Sequence, residues 1–485
     1  YITKARHIEV QIFSDKHGNV VHLFDRDCTL QRRQQKIIEE APSPKLSEEI
    51  RKFLGDLAVN ALKSLDYQGA GTIEFIADIT NGLNKNKIYF MEMNTRIQVE
   101  HPVTEKITST NLIEWQLHIA NGLTLPKSQN EIYLNGWSLE ARLYAEDINK
   151  NFLPQSGCLH HLKFPKNSDH PNCIIDTGNK KGDFISPYYD PMIAKIISHG
   201  KNRKEAINHL RNCLFDIEVA GITTNLNLLK KLLKNNHFRE GDIYTKFVEN
   251  NIEQFMDKDI EPQLKALASL IIFNNLTPSQ QNCWYNWKPT TYPINLTMGQ
   301  KVTSFFITKT SNKNFEVSFN NQEFYFTSVS FHNSTLKAKT KNKNFEVKFY
   351  VFKDKSTGNK NFTIFSDENT FDAVLKNSLN QDSVEQSIFE DSIFAPMHGI
   401  IKINKSDSLQ NQSNQKRLNS LKRIEQSYDT AVECLKDANQ EDIFTLNDSD
   451  EIPKYENFNF KNIKNNILIA KLKLCYFKFN LYYDL

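Results

Sequence analysis

Glycine is scarce in this chain, at 16 residues in 485, less than half of the roughly 7% found in an ordinary domain. Only Gly69 and Gly71 lie within two positions of each other, so neither G-x-G-x-x-G nor G-x-x-x-x-G-K-[ST] can be written anywhere. A self-contained glycine loop around a nucleotide's phosphates is therefore excluded. Cysteine is equally unhelpful as a framework: Cys28, Cys158, Cys173, Cys213, Cys283, Cys434 and Cys475 are odd in number and contain no C-x-x-C. That argues against a disulfide scaffold or a structural zinc site and for a reducing compartment. An excess of one charge is lacking too. Lys+Arg 60 against Asp+Glu 57 leaves +3, too balanced for a phosphate-backbone binder, so no nucleic acid is expected as partner. No run approaches the roughly 18 uninterrupted apolar residues of a membrane span. The opening residues, Tyr1-Ile2-Thr3-Lys4-Ala5-Arg6, carry neither Met nor an apolar leader core, and the chain reads as cut from something longer.

What is present divides by pattern. Residues 1–250 alternate strands and helices. Ile8–Phe13 and Val20–Phe24 have period two. A helix is expected from an N-cap at Ser47, with Glu48 and Glu49 in its first turn, to about Leu65, on the stripe Ile50, Leu54, Leu57, Ala61, Leu65. Further helices are expected over about Leu112–Ala120, ending at Asn121-Gly122, over Arg203–Phe215 and over Asn225–Lys234. Gly71–Ala77 and Ile88–Asn94 form a hairpin across a turn-rich segment. Residues 251–275 read as a connecting helix bearing Leu264, Leu267, Leu270 and Ile271. From Tyr292 to about Leu375 the pattern becomes short alternating strands, a small antiparallel sheet or barrel. Beyond residue 394 the chain turns polar. A stripe from Leu418 to Leu435 is too short for a coiled coil, and Ile467–Leu485 is apolar but broken by lysines.

One segment carries chemistry: Tyr89-Phe90-Met91-Glu92-Met93-Asn94-Thr95-Arg96-Ile97-Gln98-Val99-Glu100-His101-Pro102. As an extended strand it places Phe90, Glu92, Asn94, Arg96, Gln98 and Glu100 on one face, with a mainly apolar face behind. Such a polar row is costly to bury unless paired or metal-bound. Glu74 interrupts the otherwise apolar Ile73–Phe75 in the same way. Glu74, Glu92 and Asn94 then offer three hard oxygen ligands suited to Mg²⁺ carried with phosphates. Arg96 is a fork for a small planar anion and Glu100 a candidate base. A single Glu in a strand is more often a solvated, paired charge. Five polar groups in alternation favour a site. The basic run Asp27–Lys36, taken alone, reads as a solvated loop. His7 reads as an ordinary half-buried histidine, and Arg142 as a strand charge paired locally with Glu140 or Glu146.

Together these residues resemble the biotin carboxylase subunits of biotin-dependent acyl-CoA carboxylases, which are ATP-grasp enzymes. The resemblance runs from Tyr1 to about Glu249. It is carried by His7-Ile8-Glu9-Val10-Gln11, Gln31-Arg32-Arg33, Glu39-Glu40-Ala41-Pro42, Gly69-Ala70-Gly71-Thr72, Glu92 through Glu105, and Tyr188 through Lys195. Within the family, Glu114 through Leu117, Tyr144 through Asp147 and Asn151 through Pro154 look most like the methylcrotonoyl-CoA carboxylase alpha subunit.

The resemblance implies an α+β fold: an ATP-grasp C-terminal lobe with a biotin carboxylase C-terminal domain over 1–250, then a linker helix and β-barrel docking domain over 251–388. A stub of a biotinyl carrier domain over 389–404 and an unmatched tail over 405–485 would follow. It implies ATP- and bicarbonate-dependent carboxylation of biotin by a ligase. Glu74, Glu92 and Asn94 would hold Mg²⁺ or Mn²⁺. Tyr1, Ile2, His7, Gln31 and Gln34 would lie along ATP, although Gln34 stands where many relatives have His. Lys36, Arg96, Gln98 and the Val99 backbone would hold bicarbonate, Glu100 would deprotonate it, and Arg142 would stabilise the biotin enolate. The implied partners are a carboxyltransferase (beta) subunit, a second copy of the biotin carboxylase domain and a biotinyl carrier domain. The implied compartment is the bacterial cytoplasm or the mitochondrial matrix. There are departures. No Met-Lys-Met occurs, so no lysine matches the biotin attachment site, and His398 stands where relatives usually have Pro. The chain begins where the family's last ATP-grasp lobe begins. It is therefore expected to show no bicarbonate-dependent ATPase alone, the alternative being an incomplete fragment that keeps only dimerisation or docking surfaces. The acyl acceptor is not legible.

Overall fold

A continuous run of eight antiparallel strands organises the first half of the chain. The computed structural model describes residues 2–65, 67–256, 259–276, 289–299, 301–311, 313–354, 358–366 and 370–375. Tyr1, the carrier-like stub 389–404 and the tail 405–485 lie outside the described residues. In chain order the first elements are β1 (Ala5–Ser14), β2 (Val20–Arg32), β3 (Gln35–Ala41), α1 (Glu48–Lys63), β4 (Gly69–Asp78) and β5 (Ile88–Asn94). They are followed by α2 (His101–Thr108), α3 (Leu112–Ala120), β6 (Trp137–Tyr144), β7 (Cys173–Asp176), β8 (Met192–Gly200), α4 (Arg203–Phe215) and α5 (Leu226–Lys234). The sheet order is β7-β8-β6-β3-β2-β1-β4-β5.

All ten residues of β1 are buried. The sequence pattern marks one apolar face; the second face is covered as well, because β1 is central. Ile8, Val10 and Ile12 pack with α1 through Ile50, Leu54, Ala58 and Leu62, which leaves His7, Glu9 and Gln11 on the opposite side.

The α1 helix begins as expected. The Ser47 side chain accepts from the Ile50 N–H at 3.3 Å, and Glu48 and Glu49 sit at the positive end of the helix. Its buried stripe is a correction: Ile50, Leu54, Ala58 and Leu62 face the sheet, whereas Leu57 and Leu65 are exposed. Both stripes have helical spacing, and contact with β1 and β4 selects between them. Leu54→Ala is expected to cost about 2–5 kcal/mol, and Leu57→Ala to change stability by less than about 0.5 kcal/mol. Urea unfolding of the two variants checks this.

The basic run Asp27–Lys36 is not a loop. Asp27 through Arg32 end β2, Gln35 and Lys36 begin β3, and the two-residue turn between them holds Arg33 at φ 48° and Gln34 at φ 69°. Both residues in the left-handed region match the right-handed twist of a hairpin. The turn sets Gln31 directly opposite Lys36.

The expected extended strand over 89–102 also requires correction. It ends at Asn94, and residues 101–108 are helical. Within β5, Phe75 pairs with Phe90 while Glu74 pairs with Glu92, so Met91 is an inserted residue. That bulge puts Phe90 on the face opposite Glu92. The α2 sequence is rich in β-branched residues and carries no obvious helical signal. It forms because Pro102 suits a first turn and Val103 and Ile107 pack together under Ala41 and Phe24.

The second unit is a closed antiparallel barrel of eight strands between Thr291 and Leu375. The helix α6 (Pro262–Leu276) packs Leu264, Leu267, Leu270 and Ile271 into the barrel's own core. Barrel and first unit touch: His161 stacks on Tyr350 at 4.4 Å, and the Asn227 amide exchanges two hydrogen bonds with the Thr370 backbone. Among the described residues, no helix is long and apolar enough to cross a membrane.

Candidate active site

The face of the sheet opposite α1 is lined by charge. His7, Glu9 and Gln11 come from β1, Arg26 from β2, Lys36 and Glu39 from β3, Thr72 and Glu74 from β4, Glu92 and Asn94 from β5, and Arg142 from β6. The turn after β5 then carries Gln98 in, and Glu100 stands at the N-cap of α2. Neighbouring antiparallel strands put residues in register on one face, so six sequence segments meet there.

At one end, Glu74 and Glu92 are cross-strand partners. The Asn94 amide nitrogen donates to Glu74 Oε1 at 2.9 Å and to Glu92 Oε1 at 3.0 Å. Two carboxylate oxygens thus converge on one point, occupied by an electropositive NH₂ group, with Glu92 open to solvent. The hard-oxygen donor set fits a divalent cation. Two other groups, His7–Glu9–Glu74 and Glu9–Cys28–Glu100, also lie close enough to share an ion. Both are buried and already face the cations Arg26 and Lys36, whereas the exposed Glu92 opens the trio of Glu74, Glu92 and Asn94 to solvent and makes it the better cation site. Burial would raise Glu74. The hydrogen bond from His7 Nε2 at 2.9 Å and the charge of Lys36 outweigh it and bring the carboxyl to about 2. Gln31 holds the other His7 nitrogen at 3.3 Å.

The centre is built on Arg26, which is completely buried. Its guanidinium donates to Glu9 Oε1 at 2.5 Å, Gln11 Oε1 at 2.6 Å, Gln98 Oε1 at 2.8 Å, Thr104 Oγ1 at 3.0 Å and Thr72 Oγ1 at 3.2 Å. Gln98 therefore spans two groups, since its amide nitrogen donates to Glu74 Oε1 at 2.8 Å. Lys36 Nζ lies 2.8 Å from Glu9 Oε2 and bonds Glu100 Oε1 still more closely.

At the other end, Arg142 donates to Glu39 Oε1 at 2.5 Å and to Glu100 Oε2 at 2.9 Å. Its partners are not Glu140 or Glu146, the local pairings expected from sequence. Glu100 stands at the N-cap of α2 yet makes no capping hydrogen bond. Its carboxylate is committed to Lys36 and Arg142. Burial works against its charge, but Lys36, Arg142 and Arg26 hold it well below the ordinary carboxylate range. Val99 is buried beside it, its carbonyl accepting from Lys195 Nζ at 3.0 Å. The half-buried Arg96 turns Nη1 to the Ile97 carbonyl at 3.1 Å.

The structure thus joins His7, Gln31, Lys36, Glu74, Glu92, Asn94, Gln98, Glu100 and Arg142. Gln34 is exposed at the hairpin tip and Ile2 precedes β1, both outside this network. Sequence reasoning passed over Glu9, Arg26, Glu39 and Lys195. For Glu9 the signal was available: His7-x-Glu9-x-Gln11 alternates with apolar residues just as Glu92-x-Asn94 does. Arg26, between Asp25 and Asp27, carries no such mark.

Two family profiles match adjacent stretches. One is described as "Carbamoyl-phosphate synthase L chain, ATP binding domain" over residues 1–128, the other as "Biotin carboxylase C-terminal domain" over residues 140–250. The mitochondrial methylcrotonoyl-CoA carboxylase subunit alpha of Arabidopsis thaliana is 49% identical over 268 residues, covering 55% of this chain and 36% of that protein. Biotin carboxylase 2 of Bacillus subtilis is 49% identical over 251 residues, covering 52% and 54%. Among solved structures, the biotin carboxylase domain dimer of Hydrogenobacter thermophilus 2-oxoglutarate carboxylase, in complex with MgADP, ADP and bicarbonate, is similar. It aligns with a TM-score of 0.51 and 42% identity, over 53% of this chain and 55% of that one. The chain spans about a third of the plant subunit's length and about half of the bacterial enzyme's.

Proposed function

We propose, from the fact that residues 1–250 belong to the biotin carboxylase family, that this chain supplies the metal, bicarbonate and biotin-facing groups of a carboxylase. That enzyme would transfer a phosphoryl group from ATP to bicarbonate and then the carboxyl group to biotin. One observation carries the reading: the buried carboxylate Glu100 is clasped between the cations Lys36 and Arg142. Bicarbonate is an anion that must lose a proton to become a competent nucleophile. A carboxylate base beside two cationic donors binds the anion and accepts that proton in one place. Lys36 and Arg142, turned toward bicarbonate, withdraw charge stabilisation from Glu100 and make it more basic at that moment. Arg96 and Gln98, on the turn that leads to Glu100, would complete the anion pocket.

A divalent cation held by Glu74, Glu92 and Asn94 would neutralise phosphate charge. His7 and Gln31 keep Glu74 oriented and ionised. The likeness to methylcrotonoyl-CoA carboxylase alpha supports an acyl-CoA carboxylase of that kind, working with a carboxyltransferase subunit and a biotinyl carrier domain. The named relative is mitochondrial, which supports the matrix if the source is eukaryotic. The 251–388 unit, with its closed barrel lying against residues 160–230, is assigned to docking.

The cation site gives the test. Mn²⁺ titration in the presence of ATP, read by loss of the free-ion paramagnetic resonance signal, should show Glu92→Gln weakening binding at least about tenfold. Equal affinity in wild type, Glu92→Gln and Glu74→Gln would overturn the assignment.

A further inference from the structure

Beneath Arg142 lies a second pair of carboxyls that the reaction described above does not use. Glu39 on β3 and Glu140 on β6 are directly opposed in the antiparallel ladder, so their side chains share one face. Both residues are completely buried. Glu39 gives Oε1 to Arg142 Nε at 2.5 Å. Its Oε2, and both oxygens of Glu140, receive no hydrogen bond among the described residues. Three orphan acceptors on two facing carboxyls cannot all be charged lone pairs at acceptable cost. A proton placed between the two groups converts one of them into a donor, pairs one oxygen of each and removes one of the two charges, as in other paired-carboxyl sites.

We propose that Glu39 and Glu140 share a single proton, and that this pair is the positioning element that holds Arg142 against Glu100. With the proton in place, Glu39 keeps one oxygen for Arg142 and the other for Glu140. Without it, two adjacent carboxylates compete for the guanidinium and draw it away from Glu100.

The surroundings agree with one proton. Cations facing the pair are Arg142 on the same strand, Lys195 opposite Arg142 on β8, and Lys36 on β3. The anions are Glu100 at the start of α2 and Asp176 on β7, the latter 3.2 Å from Lys195. On α2, His101 is kept neutral at pH 7 by burial and Lys195, which push it to about 3, and burial raises Glu105 to about 7. The Cys28 thiol on β2 is held protonated by burial. The opposite face of β6 is apolar, packed by α4. Burial raises Glu39 to about 7, and burial with Glu39 alongside raises Glu140 well above the usual carboxylate range. A folded-state value above the unfolded one favours folding at low pH, and that contribution declines as pH rises from the ordinary carboxylate range toward the raised value of the pair.

The shared proton stands independently of the proposed activity; its role on Arg142 rests on it. Infrared spectroscopy of the purified chain at pH 7 should show the carbonyl band of buried protonated carboxyls, weakened in both Glu140→Gln and Glu39→Gln, with Glu105 and Glu146 supplying what remains. The thermal unfolding midpoint, followed from pH 6 to 9, should fall with rising pH in wild type and fall less steeply in Glu140→Gln, whose amide donates at every pH. In the assembled carboxylase the alkaline limb of kcat should move to higher pH in Glu140→Gln. The same band intensity in wild type and both variants, or the same pH dependence of unfolding in wild type and Glu140→Gln, would overturn the pair. A band and stability profile as expected, with an unmoved kcat profile, would overturn the positioning role alone.

Discussion

Glu100→Gln should lower bicarbonate-dependent phosphate release from ATP by about 10²- to 10⁴-fold in the assembled carboxylase, the usual worth of a positioned general base. The amide preserves shape and one acceptor, so Lys36 and Arg142 keep Glu9 and Glu39 as charged partners and the fold survives. What disappears is the carboxylate that, among the described residues, touches both cations and can take a proton from the anion between them. The diagnostic is a split. If Glu100 acts as base, kcat falls while the bicarbonate dependence of the residual rate changes little. If it served only to anchor Lys36 and Arg142, KM for bicarbonate would rise and kcat would hold. A rate within threefold of wild type at saturating bicarbonate would remove Glu100 from the chemistry.

Arg26→Met should destabilise the first unit by about 3–5 kcal/mol, because it strands a charge rather than merely losing contacts. Glu9 is fully buried and relies on Arg26 and Lys36. Gln11, Gln98, Thr72 and Thr104 each lose a donor at the same time. Methionine fills much of the volume, so a cavity contributes little and the loss reports the electrostatics. The double variant Arg26→Met/Glu9→Gln should recover part of the stability, since the stranded charge is gone; urea unfolding of both checks this. Equal stability of wild type and Arg26→Met would mean that Glu9 draws its compensation from Lys36 alone.

These two residues were not equally visible in the sequence. Glu100 stands at an even step from Glu92, Asn94, Arg96 and Gln98, and alternation alone puts it with them. The grouping is right for Gln98 and Glu100, for a reason the alternation does not contain: the strand stops at Asn94, and the turn leading into α2 carries those two to the same place. Phe90 shows the other side of that coincidence. It obeys the alternation and is turned to the opposite face by one inserted residue. The α1 helix repeats the lesson, since its cap is local and readable in Ser47, whereas its buried face depends on β1 and β4, which lie elsewhere in the chain.

Taken alone, the sequence determined what depends on neighbours along the chain: strand and helix periods, the Ser47 cap, the hairpin of β4 and β5, the change to barrel strands after Tyr292, and the residue types on which the proposed metal and anion site rests. Tertiary structure decided the partners. Arg142 met Glu39 and Glu100 rather than Glu140 or Glu146, Arg26 became the hub that no local pattern marked, and Glu39 came to face Glu140 across 101 positions of chain. Electrostatic energy at these sites depends on distance through space and on exclusion of water, and neither is written in spacing along the chain.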